Sequence, residues 1–222
     1  MRHSASLGLI ILFFSVIVFS SEKTFNVVID PGHGGSDSGA VQNKIKESDI
    51  VLQISKKILN LLEQKQPEMQ ASLTRAENKF ISLEDRIKKN ENKQDIDLFV
   101  SLHANSSVSS SVQGMEVYFQ PDQKKKSDSI TQTIVEDLES IGKSKNSLSF
   151  AQNLQTAWTL SHSVIRRSSF FVVEKTEYPS VLVELGFLSN PLEAEKLKSA
   201  AYQSLIAETI VKSIVDYKNS AP

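Results

Sequence analysis

Three side chains of the kinds that bind metals or move protons sit where apolar runs stop. His33 follows the run Phe25–Asp30 in VVIDPGHGGSDSGA and is boxed between Gly32, Gly34 and Gly35. His103 follows Leu98–Leu102 in VSLHANSS. Glu184 follows Ser180–Val183 in PSVLVELGF, after which apolar residues resume. Imidazole and carboxylate suit metal ligation and general acid–base work. Each also has a plainer reading. A histidine in a glycine turn can simply fit the bend, and His103 can be a hydrogen-bonded core histidine. Glu184 is harder to explain that way, because a carboxylate inside an apolar run needs a metal ion, an arginine or a shifted pKa to offset its burial. The glycines beside His33 let the chain turn sharply and leave room for an ion and a substrate. The same loop meets neither the G-x-x-x-x-G-K-[ST] nor the G-x-G-x-x-G spacing, which argues against a phosphate cradle.

Strand-like and helix-like segments alternate around these positions. Strands are expected at Phe25–Asp30, Met69–Thr74, Leu98–Leu102, Gly114–Phe119, Phe170–Val173 and Ser180–Val183. Asp49–Leu62 places Ile50, Ile54, Ile58 and Leu61 at helical spacing. Ser82–Asn92 reads as a helix opened by Ser82 and Asp85. Residues 124–160 read as helical with a break near Gly142–Ser147. A final helix or helix pair starts at Asn190-Pro191, a cap followed by proline at the first helical position, and runs to about Tyr217. The expectation is an α/β fold: a single domain over residues 24–222 with a largely parallel central sheet of about six strands flanked by helices. Sites in such sheets gather beyond the carboxyl ends of the strands.

The chain of 222 residues carries a net charge of −1, which speaks against a general nucleic-acid binder. It has no cysteine, so disulfides, thiolate metal sites, cysteine nucleophiles and a lipid-modified cysteine are all excluded. Residues 1–20 read as a signal peptide: MRH is basic, LGLIILFFSVIVF is apolar, and Val18-Phe19-Ser20 suits cleavage after Ser20, with an uncleaved anchor as the alternative.

Four blocks, IDPGHGGSDSGA, KESDIVLQISKKI, DLFVSLHANSS with GMEVYF after it, and PSVLVELGFLSNP, resemble the zinc-dependent N-acetylmuramoyl-L-alanine amidases of the Amidase_3 type, bacterial cell-wall enzymes. SLTR and SLEDRI add weaker support, and the resemblance covers Phe25 to Tyr217. It implies one Zn²⁺ held by His33, Glu47 and His103, with Glu184 as the catalytic residue. Glu47 enters through the resemblance alone, since a glutamate opening a helix is ordinarily a dipole partner. The implied reaction is hydrolysis of the amide between the lactyl group of N-acetylmuramic acid and L-alanine, in wall remodelling or daughter-cell separation. A zinc peptidase acting on another amide of the stem peptide and a non-catalytic peptidoglycan-binding protein are the alternatives.

The implied partners are peptidoglycan and a protein activator, for an exported monomer of the periplasm or cell wall that binds no nucleic acid. Asn105, Arg166 and Arg167 are the candidate substrate contacts, the two arginines facing an anionic stem peptide. His162 is read as a surface or groove residue outside the ligand set. Some relatives carry a helix that plugs the cleft where residues 124–146 fall. In this chain Lys124-Lys125-Lys126 followed by Ile130, Ile134 and Leu138 fits either such a plug or an ordinary amphipathic helix.

Overall fold

The computed structural model describes residues 24–42, 44–88, 96–120 and 130–220, with the backbone alone over 130–139. The segment 1–20 read as a signal peptide, the lysine run at 124–126 and the last four residues, 89–92, of the expected Ser82–Asn92 helix lie outside those residues.

Phe25–Pro31 (β1) is buried at six of its seven positions, as a strand covered on both faces requires. It pairs in parallel with Met69–Leu73 (β4) on one side and with Leu98–Asn105 (β5) on the other. Ser180–Phe187 (β8) adds in parallel to β5. Met115–Phe119 (β6) then runs antiparallel to β8, and Ser163–Arg167 (β7) runs parallel to β6. The sheet order is β4-β1-β5-β8-β6-β7, so the expected largely parallel sheet of about six strands is present. A small hairpin of Val41–Gln42 (β2) and Ile45–Lys46 (β3) sits apart from it.

Strand alternation sorts the side chains onto two faces. Val27 and Ile29, Leu98, Val100 and Leu102, and Val181, Val183 and Leu185 all join the larger core. Glu47–Lys65 (α1), Ile130–Ala157 (α3) and Ala200–Ser220 (α6) complete that core through residues such as Ile54, Phe150 and Ile210. Each of these large side chains contributes about 1.5–3 kcal/mol by leaving water. Val28, Phe99 and Leu182 face the other way, into a smaller cluster with Ile87 of Leu83–Lys88 (α2) and Val172 of Phe171–Glu174 (α4). By the same alternation Asp30, Ser101, His103 and Glu184 fall on this second face. Pairing in register then aligns His103 opposite Glu184.

Several local expectations are corrected. Neither β5 nor β8 stops at its histidine or glutamate: both strands continue, to Asn105 and to Phe187. Phe170–Val173 is not a strand; Val173 and Glu174 donate to the Phe170 carbonyl and begin α4. A short apolar run carries no periodicity that separates a strand from a buried helical turn. The strand β7 falls on none of the expected strands, because it is an edge strand of intermediate and exposed residues without alternation. The helix α3 passes through Gly142–Ser147 unbroken. Gly142 costs that helix about 1 kcal/mol relative to alanine, yet burial of Phe150, Ala151 and Leu154 further along it outweighs that cost.

Other expectations hold. Asp85 N–H donates to Ser82 Oγ at 3.1 Å to start α2. Asn190 Oδ1 accepts from Leu192 and Glu193 at 3.0 and 3.2 Å to start Pro191–Lys198 (α5).

Candidate metal centre and catalytic cleft

The loop after β1 carries His33 in a left-handed conformation with φ of 58°. A non-glycine residue pays roughly 1–2 kcal/mol for that geometry, so its surroundings must enforce it. They do so on several sides. His33 Nδ1 lies 2.8 Å from Asp37 Oδ2, while Asp37 Oδ1 accepts from Gly39 N–H at 3.0 Å. Arg86 Nη2 donates to the His33 carbonyl at 2.7 Å.

Glu47 opens α1, and its carboxylate is buried. Oε2 accepts from Ala40 N–H at 2.9 Å. Oε1 accepts from Ala104 N–H at 3.0 Å and lies 2.9 Å from His103 Nδ1 and 3.1 Å from His33 Nε2. Burial alone would raise this carboxyl, but hydrogen bonds from His103 and His33 override it and hold it well below the usual range. Burial works against protonated His33, yet Glu47 and Asp37 together lift its pKa to about 9. The two imidazoles meet edge to face with centroids 4.8 Å apart.

Two glycines make this convergence possible. A side chain on Gly32 would enter the His103 ring, and one on Gly39 would lie 2.5 Å from Glu47 Oε2 and 2.6 Å from His33 Cδ2. Gly39 also has φ of 62°, so both space and backbone favour glycine there.

His33, Glu47 and His103 offer one donor atom each, all within 4.8 Å of one another. Donors bound tetrahedrally at ~2.0–2.1 Å lie about 3.3 Å apart, close to the histidine–glutamate separations here. Two imidazoles, one carboxylate and tight glycine walls therefore suit a divalent ion of the borderline class. Glu184 faces the same space from β8. Its Oε2 is buried and has no hydrogen-bond partner among the described residues. Burial, reinforced by the charges of Glu47 and Glu116, pushes its pKa up to about 8. A cation in the neighbouring donor set would oppose that shift.

His33, His103 and Glu184 border a cleft of about 440 Å³. Its walls are largely apolar and include Phe80, Leu83 and Phe170, all of which are exposed. Phe170 packs edge to face on Tyr118 with centroids 5.0 Å apart.

Beside Glu184 lies a polar group centred on Glu116, whose register partner across the antiparallel β6–β8 pair is Glu184 itself. Glu116 Oε2 accepts from Tyr118 Oη at 2.7 Å and from Asn105 Nδ2 at 3.2 Å, and Oε1 accepts from Arg166 Nε at 2.9 Å. Asn105 and Arg166 thus stand on the Glu184 side. Arg167 points to the opposite side of β7, where its guanidinium lies 5.9 Å from the Phe119 ring centroid. His162 is exposed at the start of β7, and its carbonyl accepts from Met115 N–H at 2.8 Å.

Sequence reasoning did not single out Asp30, Asp37, Arg75, Arg86 or Glu116. A signal existed for Asp30, which ends an apolar strand with a carboxylate just as Glu184 interrupts one. Asp37 stands four residues after His33 in the same loop.

The family model described as N-acetylmuramoyl-L-alanine amidase matches residues 27–216. YqiI of Bacillus subtilis, an uncharacterized protein, is 38% identical over 191 residues, covering 86% of this chain and 84% of its own. The N-acetylmuramoyl-L-alanine amidase AmiC of Escherichia coli is 33% identical over 224 residues. That match takes in 88% of this chain but 53% of AmiC, so the chain spans about half of AmiC's length. Among solved structures, the catalytic domain of CwlV, an N-acetylmuramoyl-L-alanine amidase from Bacillus (Paenibacillus) polymyxa, superposes with a TM-score of 0.73 at 32% identity. It covers 88% of this chain and 99% of CwlV's domain.

Proposed function

The chain belongs to the N-acetylmuramoyl-L-alanine amidase family, and from that premise we propose that it is a zinc-dependent amidase of peptidoglycan. The bond cleaved is the amide between the lactyl group of N-acetylmuramic acid and the L-alanine that begins the stem peptide. The observation that carries this reading is the convergence of His33, Glu47 and His103 on one point, with Glu184 beside them, its Oε2 buried and without a hydrogen-bond partner among the described residues.

His33, Glu47 and His103 would hold one Zn²⁺. Once bound, that ion would polarise the scissile carbonyl and lower the pKa of a water towards ~7. The remaining chemistry falls to the protein. Asp37 accepts from His33 Nδ1, which fixes the ring and leaves Nε2 facing Glu47 and the ligand point. Glu184 Oε2, free of other hydrogen bonds, takes the proton from the attacking water. It then returns that proton to the departing alanine nitrogen. Burial raises this carboxyl and a cation bound beside it would lower it again, which suits a group that must be ionised to accept a proton and then give it up. The exposed apolar walls at Phe80, Leu83 and Phe170 would give the substrate a surface to cover, displacing water beside the reacting amide.

Zinc dependence is tested by chelation. Dialysis against a chelator should abolish release of soluble material from peptidoglycan, and one equivalent of zinc per chain should restore it. Full activity in metal-free protein would overturn the assignment.

Arg166 is placed to meet an anionic stem-peptide group. Glu116 holds it through Nε, and the guanidinium is half exposed. Charge reversal, Arg166→Glu, sets a second carboxylate against Glu116 and should raise KM for peptidoglycan severalfold with a smaller effect on kcat. Unchanged kinetics would remove Arg166 from substrate binding. Asn105 acts through the same Glu116, and Arg167 would reach the peptide only beyond the edge of the sheet.

Export after removal of residues 1–20, action as a monomer and control by an activator complete the proposal. Of the segment 124–146, only the part from Ile130 lies within the described residues, as the start of α3. Deleting 124–146 should raise activity if it gates the cleft, whereas an equally slow or unstable protein would count against gating.

A further inference from the structure

Two buried arginines grip the metal-binding loop by its carbonyl oxygens. Arg75 Nε donates to the Pro31 carbonyl at 2.9 Å. Arg75 Nη2 donates to Gly32 O at 2.7 Å and to Ser48 O at 2.9 Å, which ties the loop to the helix that carries Glu47. Arg86 Nη1 donates to Pro31 O at 2.8 Å and to Asp30 Oδ1 at 2.8 Å, and Nη2 reaches His33 O at 2.7 Å. The carbonyls of Pro31, Gly32 and His33, three residues in a row, are thus each engaged by at least one guanidinium. Asp30 anchors the assembly in turn, since Oδ1 accepts from Thr74 Oγ1 at 2.5 Å and Oδ2 from Ser101 Oγ at 2.7 Å. Arg75 and Arg86 are 1% and 3% exposed, so water contributes little to these bonds.

We propose that Arg75 and Arg86 are positioning residues of the metal centre: by holding the left-handed His33 and its loop against the start of α1, they set how tightly the His33–Glu47–His103 site binds its ion. Neither side chain touches that site's donor atoms. The fork of a guanidinium reaches two carbonyls at once, which a lysine ammonium on its flexible stem does not reproduce in fixed geometry. Without the fork, His33 is free to leave a conformation that its own side chain disfavours, and its ring no longer stands ready beside Glu47. Partners of this outer kind change metal affinity by about 10–100-fold when removed. The inference rests on the metal reading of the site.

The test is zinc affinity by competition with a chromophoric chelator, read beside the visible absorption of the cobalt(II)-substituted protein and the thermal midpoint of the metal-free protein. The wild type, Arg86→Lys and Arg75→Lys are compared with Ile210→Val, a core change in α6 far from the loop. Each lysine variant keeps the positive charge and should remain folded. The expected result is zinc bound about 10–100-fold more weakly in either lysine variant, with an altered cobalt spectrum, while Ile210→Val keeps wild-type affinity and spectrum.

Wild-type affinity and spectrum in a folded lysine variant would reduce the arginines to a structural role. An equal loss of affinity in Ile210→Val would do the same. If Arg86→Lys does not fold, Arg75→Lys decides the matter, because it leaves the Asp30 ion pair intact. A wild-type protein that binds no zinc or cobalt would instead overturn the metal reading itself.

Discussion

Glu184→Gln should leave zinc binding and fold unchanged and lower the turnover of peptidoglycan by about 10²–10⁴-fold, the usual contribution of a positioned general acid–base group. The amide keeps the shape of the carboxyl group. It cannot take up a proton from water or hand one to a leaving amine. Among the described residues the buried Oε2 has no hydrogen-bond partner, so the substitution breaks no hydrogen bond at that atom. This separates Glu184 from the ligand set, each member of which is engaged by its neighbours. The measurement is kcat on purified peptidoglycan, beside metal content per chain and the thermal midpoint. A variant with near-normal kcat would show that another group moves the proton. A variant that had lost its metal would make Glu184 a ligand instead of a base.

Glu47→Ala should abolish activity through loss of the metal ion. One carboxylate oxygen here contacts both histidines and Ala104 N–H, while the other accepts from Ala40 N–H. Removing it deletes the only anionic donor of the trio. It also leaves two backbone donors unpaired, one of them in the buried interior, which costs stability of about 1–3 kcal/mol per group. Zinc affinity should fall by more than the ~10–100-fold typical of losing an outer partner. Equilibrium dialysis measures it directly. Retention of tight zinc binding in a folded variant would place the ion elsewhere.

The strand alternation that puts Asp30, His103 and Glu184 on one face follows from a period of two, so it was legible wherever a strand was recognised. His33 was legible from its glycine setting. Glu47 was not. A first-turn glutamate looks the same whether it serves the helix dipole or reaches into a site, and only the resemblance singled it out. Arg75 and Arg86 lie in the SLTR and SLEDRI segments, but their role stays hidden for a related reason: their bonds to the carbonyls of Pro31, Gly32 and His33 span 43 to 55 residues of chain, a separation that no local pattern encodes. The misplaced strand at Phe170–Val173 and the missed one at Ser163–Arg167 have a common origin. The first is a short apolar run without period, and the second an exposed edge strand without alternation, so tertiary placement decided both.

The most direct test of the central claim is mass spectrometry of the soluble products released when the purified protein, supplied with zinc, is incubated with peptidoglycan. An amidase frees intact stem peptides that begin with an unmodified L-alanine amine and leaves glycan strands bearing free lactyl carboxylates. Fragments that begin at any later residue of the stem, with L-alanine still attached to muramic acid, would contradict it and make the protein a peptidase.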